Sequence, residues 1–328
     1  MKKTMSTMAC AVGISAGLVL AGAAVSPAVA VASLPSTDHI YAITCDLGLD
    51  DFTLMSVATD GTATEIGTGD STMNGKCAAG AAWDPASQIA YFTSYNSGTD
   101  NMDVYSTDVS TGTPTFLSTL STGTGSFGNM ISINSAGAAQ VVKNGTFYDA
   151  NLSTGVESEI ISSQVNGTNG FYYVIQAFNQ FDGKLYAINA DNTEDDVQPI
   201  NNMLYTVDPA TGIVFGNSGP HINGLPDVGQ LYSMAFDSAG TGWAIADAVG
   251  GAKHLWSFDV ATATFVDQGP LLNNGAATNM DSALFIAQPV VTPTLPNTGL
   301  NSVPLAGLGL VLAITGAASL VLVRRRSA

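Results

Sequence analysis

Arginine is absent from residues 4–323, and lysine occurs there only four times. All 26 aspartate and glutamate residues lie in that stretch, which therefore carries a net charge of −22. Such a surface repels phosphate backbones, so nucleic-acid binding is excluded. The lack of arginine removes the usual bidentate anchor for carboxylate or phosphate substrates. Divalent cations and neutral, hydroxyl-rich partners suit the composition better, although solubility alone also explains the acidity.

Histidine is equally scarce, and the chain contains no HExxH, CxxC or GxSxG motif. The three histidines, His39, His221 and His254, have no spacing that supports a metal site. A GxGxxG match at 123–128 lies between two short predicted strands, so no helix N-terminus is there to hold a pyrophosphate. The sequence therefore predicts neither a catalytic residue nor an organic cofactor.

Residues 1–32 have the order of a secretory signal peptide. Two lysines precede an apolar stretch at about 9–25, and small residues follow. This order predicts export, with cleavage after Ala30 or Ala32. A lipoprotein signal is the alternative because Cys10 is present, but this cysteine precedes the apolar core.

Processing would leave two cysteines, Cys45 and Cys77. Two thiols in an exported protein often pair, so we expect a disulfide between them. Two free buried thiols and a metal-binding pair remain alternatives.

A turn pattern recurs through the middle of the chain. Asp or Asn opens each copy, and Gly closes all but the last, at 108–112, 151–155, 208–212 and 259–263. The side chain of Asp or Asn bonds its own backbone, and Gly adopts the positive φ of a tight reversal. Alternating apolar runs flank each copy, which predicts hairpins. A second set of turns alternates with the first, at 82–87, 132–137, 177–183 and 235–240.

Together these turns define a unit of four strands, here called a, b, c and d in chain order. One unit is split, because its b, c and d strands come from 38–70 and its a strand from 280–288. The other units span 72–122, 123–163, 164–222 and 223–273. The sequence thus predicts an all-β fold over residues 33–288, a five-bladed β-propeller closed by its N- and C-terminal strands. A pair of β-sandwiches, or a sixth blade hidden in the fourth unit, are the alternatives.

The segment "LYTVDPATG" at 204–212 and its weaker copies resemble the repeats of quinoprotein-like and YVTN-type propellers. The resemblance covers about residues 38–288. It implies a fold only, because propellers serve many functions.

In such a ring the a–b and c–d turns lie on one face, the turn face, and the b–c and d–a connections lie on the other, the loop face. The loop-face connections are longer and less regular, so we expect recognition there. Cys45 and Cys77 are both placed on the loop face, in adjacent blades, as a disulfide requires.

Oxygen ligands and aromatic side chains are also predicted at the loop face. Asp191, Glu194, Asp195 and Asp196 form its densest acidic group, a candidate calcium site. The segment lacks the glycine and glutamate of an EF-hand loop, and a solvated acidic loop is the alternative. Aromatic residues near the same rim could stack on sugars or belong to the core: Tyr95, Phe127, Phe171, Tyr172 and Tyr173.

The last 40 residues have an order of their own. A short proline-containing spacer at 289–294 precedes "LPNTG" at 295–299. An apolar run of 21 residues at 303–323 follows, long enough to cross a bilayer as a helix, and three arginines come next. This order resembles the LPXTG cell-wall sorting signal of sortase-anchored surface proteins of Gram-positive bacteria. An ordinary single-span anchor is the alternative.

The resemblance implies a role for each motif residue. Leu295 and Pro296 would dock in the sortase, and Asn297 would fill the variable place. The sortase would attack the carbonyl of Thr298, cut before Gly299 and pass the new end to a peptidoglycan precursor. The membrane would hold the chain only before sorting.

These features predict a secreted protein, anchored in the cell wall, whose acidic propeller binds an extracellular ligand, either a glycan or a protein. A secreted propeller-type hydrolase or lyase acting on polysaccharide is an alternative, and a structural surface-coat component is another.

Overall fold

The computed structural model describes residues 33–45, 52–70, 78–96, 99, 101–120, 131–143, 146–162, 173–189, 203–211, 219–226, 231–277 and 283–289. Strands and turns make up these segments, and no helix within them could span a membrane.

The described strands, in chain order, are β1 (His39–Cys45), β2 (Phe52–Val57), β3 (Thr62–Asp70), β4 (Ala78–Asp84), β5 (Ile89–Asn96), β6 (Asn101–Thr107), β7 (Pro114–Leu120), β8 (Ile131–Ile133), β9 (Ala139–Lys143), β10 (Thr146–Asn151), β11 (Val156–Ser162), β12 (Tyr173–Asn179), β13 (Lys184–Asn189), β14 (Leu204–Val207), β15 (Leu231–Phe236), β16 (Gly242–Asp247), β17 (Lys253–Asp259), β18 (Thr264–Pro270), β19 (Leu272–Asn273), β20 (Ala276–Ala277) and β21 (Ala283–Ala287).

The strands form five antiparallel sheets, which are the blades of a propeller. Blade 1 contains β21, β1, β2 and β3, blade 2 contains β4–β7, and blade 3 contains β8–β11. Blade 4 contains β12–β14, and blade 5 contains β15–β18. The a strands β21, β4, β8, β12 and β15 contact one another in ring order. The prediction of a five-bladed propeller is confirmed, and the sandwich and six-blade alternatives are wrong.

The ring is closed inside blade 1 by the two ends of the propeller. β1 pairs antiparallel with β21, from His39 opposite Ala287 to Ile43 opposite Ala283. The strand near residue 39 had no a strand before it, and the strand near residue 283 had no successor, so each completes the other. Closure leaves no inner strand without a neighbour, which protects the edges of the sheets.

The hydrophobic core consists of five clusters, one between each pair of adjacent blades. The cluster between blades 1 and 2 shows how they pack. Phe92 is fully buried there, with its ring centre 4.8 Å from that of Phe52 and 5.1 Å from that of Tyr105. Blade contacts therefore join residues distant in the chain, which makes the ring one cooperative unit.

The c–d turns have the predicted chemistry. Oδ1 of Asp108 accepts hydrogen bonds from the backbone N and the Oγ of Ser110 at 2.8 and 2.7 Å. Asn151 makes the same bonds to Ser153 in blade 3. Gly112 has a φ of +69°, in the left-handed region. In blade 5 the place of the glycine is taken by Ala263, with a φ of +48°.

These turns predict an acid sensitivity. The hydrogen bonds from the side chain and backbone of Ser110 hold the pKa of Asp108 below its ordinary value of 3.8. A lowered folded-state pKa contributes stability above the unfolded pKa, which is lost as the pH falls through the folded value. Asp108→Asn keeps the acceptor, as Asn151 shows, and removes the titration. We expect a small stability advantage of the wild type at about pH 7, which shrinks as the pH is lowered to about 2. Thermal unfolding at both pH values measures it; an advantage that grows on acidification contradicts the assignment.

One element, at residues 272–277, was not predicted from the sequence. Leu272 and Asn273 form β19, which pairs parallel with β3 on the outer edge of blade 1 and continues into β20. The backbone N of Leu272 donates to the carbonyl of Gly61 at 3.1 Å. The reason is physical, because an outermost strand offers unpaired backbone groups that a passing segment can satisfy.

Candidate functional site

Most residues predicted at the loop face lie outside the described residues. This applies to the acidic group Asp191, Glu194, Asp195 and Asp196, and to Phe127, Phe171 and Tyr172. Tyr95 and Tyr173 lie in β5 and β12, but the description does not extend to their side chains. The calcium site and the aromatic rim therefore stay predictions.

The predicted disulfide also depends on a residue outside the described part of the chain. Cys45 is the last residue of β1, and Cys77 lies outside the described residues, next to Ala78 at the start of β4. Ala78 packs in one cluster with Phe52, which is opposite Cys45 in the ladder. The disulfide stays a prediction. The signal peptide, the spacer and the whole sorting signal also lie outside the described residues.

The three histidines belong to different blades. His39 begins β1 at the turn face, His221 forms an isolated bridge with Met203 of blade 4, and His254 lies in β17 of blade 5. Nδ1 of His254 is 2.8 Å from a carboxylate oxygen of Asp267. Within the described part of the chain, no group of three or more His, Cys, Asp or Glu side chains is arranged to hold a metal ion.

A charged cluster lies at the loop-face end of blade 5. The Tyr232 hydroxyl donates to Asp247 at 3.0 Å, and Nζ of Lys253 donates to the same carboxylate at 3.0 Å. Nζ also lies 3.6 Å from the centre of the Tyr232 ring. Burial raises the pKa of Tyr232. Burial alone would lower the pKa of Lys253, but its hydrogen bonds to Tyr232 and Asp247 raise that pKa above its ordinary value. Lys253, Asp247 and Tyr232 therefore form one hydrogen-bonded cluster.

Hydrogen bonds join adjacent blades at the turn-face ends of the a strands. Nε2 of Gln288 donates to the carbonyl of Phe236 at 2.7 Å, and Nε2 of Gln180 donates to that of Ile133 at 2.7 Å. The indole of Trp83 donates to the carbonyl of Gln288 at 3.1 Å. The cavity among the five a strands has a volume of about 40 Å³, room for water rather than for an organic ligand. The described residues therefore leave little space among the a strands at this end.

A larger opening lies on the turn face between blades 4 and 5. It has a volume of about 440 Å³ and is called here the turn-face groove; its walls include Phe181, Asp182, Thr241, Ser257 and Asp259. Phe181 is 68 % exposed although it is a large apolar side chain. Its backbone N donates to Oδ1 of Asn179 at 3.0 Å, which fixes the turn that carries the ring.

A second cavity, of about 740 Å³, lies along blade 4. It shares Asp182 with the turn-face groove and reaches Tyr186 and Asp208. Oδ2 of Asp182 accepts a hydrogen bond of 2.7 Å from the Tyr186 hydroxyl, and burial, followed by this bond, raises the pKa of Tyr186. The two cavities, together called the depression, are bordered by acidic side chains.

Sequence reasoning missed this groove, since segment 177–183 was interpreted only as a turn. A signal was present, because the matching turns of blades 2, 3 and 5 carry small residues, in "DPAS", "NSAG" and "DSAG". An aromatic residue at such a tip has no partner within its own turn. Its exposure could have been suspected, but not the walls that the next blade supplies.

No known protein-family profile matches the sequence, and no curated protein matches it. Similar solved structures include a nidogen/laminin complex, at 11 % identity and a TM-score of 0.46, which covers 76 % of this chain and 98 % of that one. TolB from Acinetobacter baumannii has 14 % identity and a TM-score of 0.44, over 72 % of this chain and 54 % of that one. TolB from Agrobacterium tumefaciens has 10 % identity and a TM-score of 0.41, over 78 % of this chain and 98 % of that one. The chain is a five-bladed β-propeller, and its function must be argued from its own residues.

Proposed function

We propose that the protein is secreted, joined to peptidoglycan by a sortase, and displays an acidic propeller that binds an extracellular ligand. The observation that carries the proposal is the order of "LPNTG", an apolar run and three arginines after the last strand. Each part has a physical role in this order: the run and the arginines hold the chain in the membrane while the motif is cut.

The chain's own residues define the chemistry of attachment. An extended Leu295–Pro296 would present the carbonyl of Thr298 to a sortase thiolate. The Thr298–Gly299 peptide bond breaks, Thr298 becomes a thioester, and Gly299 leaves as a free amine. An amine of the wall precursor then displaces the thiolate and forms a new amide on Thr298. No oxidant or external energy source is needed, because one amide replaces another.

The ring geometry supports display. β21 ends at Ala287, and Gln288 is bonded to Trp83 beside the a–b turn of blade 2, so the chain leaves the propeller on the turn face. Residues 289–298 comprise ten residues, a reach of at most about 36 Å. The turn face would therefore be directed to the wall and the loop face to the surroundings, where an extracellular ligand would meet the irregular loops.

Thr298→Ala tests the attachment. With a purified sortase and triglycine as acceptor, we expect cleavage to slow by about 100-fold or more, which corresponds to about 2.7 kcal/mol of transition-state stabilisation. Asn297→Ala is the matched control, since it changes the variable place, and we expect near-normal cleavage. Mass spectrometry of the products measures both. A wild-type chain that is not cut between Thr298 and Gly299 would refute the proposal.

A further inference from the structure

Phe181 is held as an exposed aromatic platform. Its turn is fixed by the bond to Asn179, and its ring lies against Gly240 of the neighbouring turn, where an added Cβ would stand 2.9 Å from ring atom Cδ1. The exposure of a flat apolar ring to water costs free energy, and the fold of the propeller does not require that exposure. Such a ring can stack on the apolar face of a sugar at little entropic cost.

The wall that blade 5 supplies to the same groove offers hydrogen-bond acceptors. Oδ1 of Asp259 takes three bonds within its own turn, from the backbone N of Ala261 and from the N and Oγ1 of Thr262. Within the described residues, no hydrogen bond to Oδ2 of Asp259 is seen, and the side chain is exposed to solvent. A carboxylate oxygen of this kind accepts bonds from hydroxyl groups. The groove thus combines a stacking surface with acceptors for hydroxyl donors.

Charge selects the kind of sugar. Asp182, Asp208 and Asp259 border the depression, on a stretch with a net charge of −22. Lys184, the cation beside it, is paired with Asp182 at 3.8 Å. Uronates, sulfated sugars and phosphate-linked polymers would therefore be repelled, and a neutral glycan would not.

We propose that the turn-face groove binds a neutral polysaccharide of the cell wall, with Phe181 stacking on a sugar ring and Asp259 accepting bonds from its hydroxyls. The choice of a wall glycan rests on the proposed function, because anchoring through Thr298 would direct the turn face to the wall. The volume of about 440 Å³ lies within the range of about 300–1,000 Å³ that is usual for ligand sites.

The test uses the full-length chain in detergent with insoluble chitin and cellulose as neutral probes and immobilised polygalacturonate as the acidic probe. We expect retention on a neutral probe and none on the acidic one, and a loss of affinity of about tenfold in Phe181→Ala. Phe116→Ala is the matched control, because Phe116 is also exposed, at 55 %, and lies on β7 away from the groove. Unchanged thermal unfolding of Phe181→Ala shows that the fold is kept.

Two outcomes would contradict glycan binding in the groove and leave the anchoring proposal unaffected. One is a wild-type chain that prefers polygalacturonate or binds neither neutral probe. The other is Phe181→Ala binding as tightly as the wild type. Failure of sortase cleavage at Thr298 would instead contradict the proposed function. The binding experiment with chitin, cellulose and polygalacturonate would still test the groove.

Discussion

Replacing Gly112 by alanine is expected to lower the free energy of unfolding by about 2–5 kcal/mol. The φ of +69° lies in the left-handed region, where a Cβ costs about 1–2 kcal/mol. The added Cβ would also overlap the carbonyl oxygen of Ile66 in blade 1, at a separation well under 3.0 Å. The added Cβ and the carbonyl oxygen are each fixed in place by their own backbone. The overlap can therefore be relieved only by moving one blade against the other, at a further cost of about 1–3 kcal/mol.

Gly183 provides the control for this substitution. Its φ of +72° matches that of Gly112, but an added Cβ would meet nothing within 4 Å. Gly183→Ala should therefore cost only the conformational strain, about 1–2 kcal/mol. Urea unfolding of both variants gives the difference. Equal losses would mean that the c–d turn of blade 2 does not pack on blade 1.

Phe285→Ala is expected to destabilise the ring by about 3–5 kcal/mol. Phe285 lies on β21 and is 1 % exposed. Its ring is stacked at 5.2 Å on Tyr41 of the same blade and at 6.4 Å on Trp83 of blade 2. The substitution would leave a cavity at the point where the C-terminal strand closes the propeller.

Phe116→Ala serves as its control, because a side chain that is 55 % exposed loses little burial on truncation, and we expect less than about 1 kcal/mol. The two chains are compared by urea unfolding at one temperature. If Phe285→Ala were as stable as Phe116→Ala, the C-terminal strand would not complete blade 1, and the five-bladed ring would be wrong.

The architecture could be predicted because its signals are local. An Asp at position 108 that bonds residue 110, and a glycine at 112 with positive φ, depend on a few consecutive residues. Such turns mark the strand ends at the turn face, and their alternation counts the blades. The pairing of β1 with β21 followed because residues 38–70 supply three strands of a unit and residues 280–288 supply the fourth.

The groove could not be predicted in the same way, because its walls belong to different units. Phe181 lies in blade 4 and Asp259 in blade 5, and only the angle between neighbouring blades decides whether a cavity opens between them. The interaction of Lys253 with Tyr232 is missed for a related reason, since the two residues lie 21 positions apart on strands c and a. Ladder register, which periodicity does not specify, brings them together.

The anchoring proposal is tested most directly by the mass of the protein released from walls of a Gram-positive host that expresses the full chain. Digestion of the wall with a peptidoglycan hydrolase should release a chain that begins after Ala30 or Ala32 and ends at Thr298, with a wall peptide in amide linkage to that threonine. A chain that retains residues 299–328, or one that ends elsewhere without a wall peptide, would contradict the account.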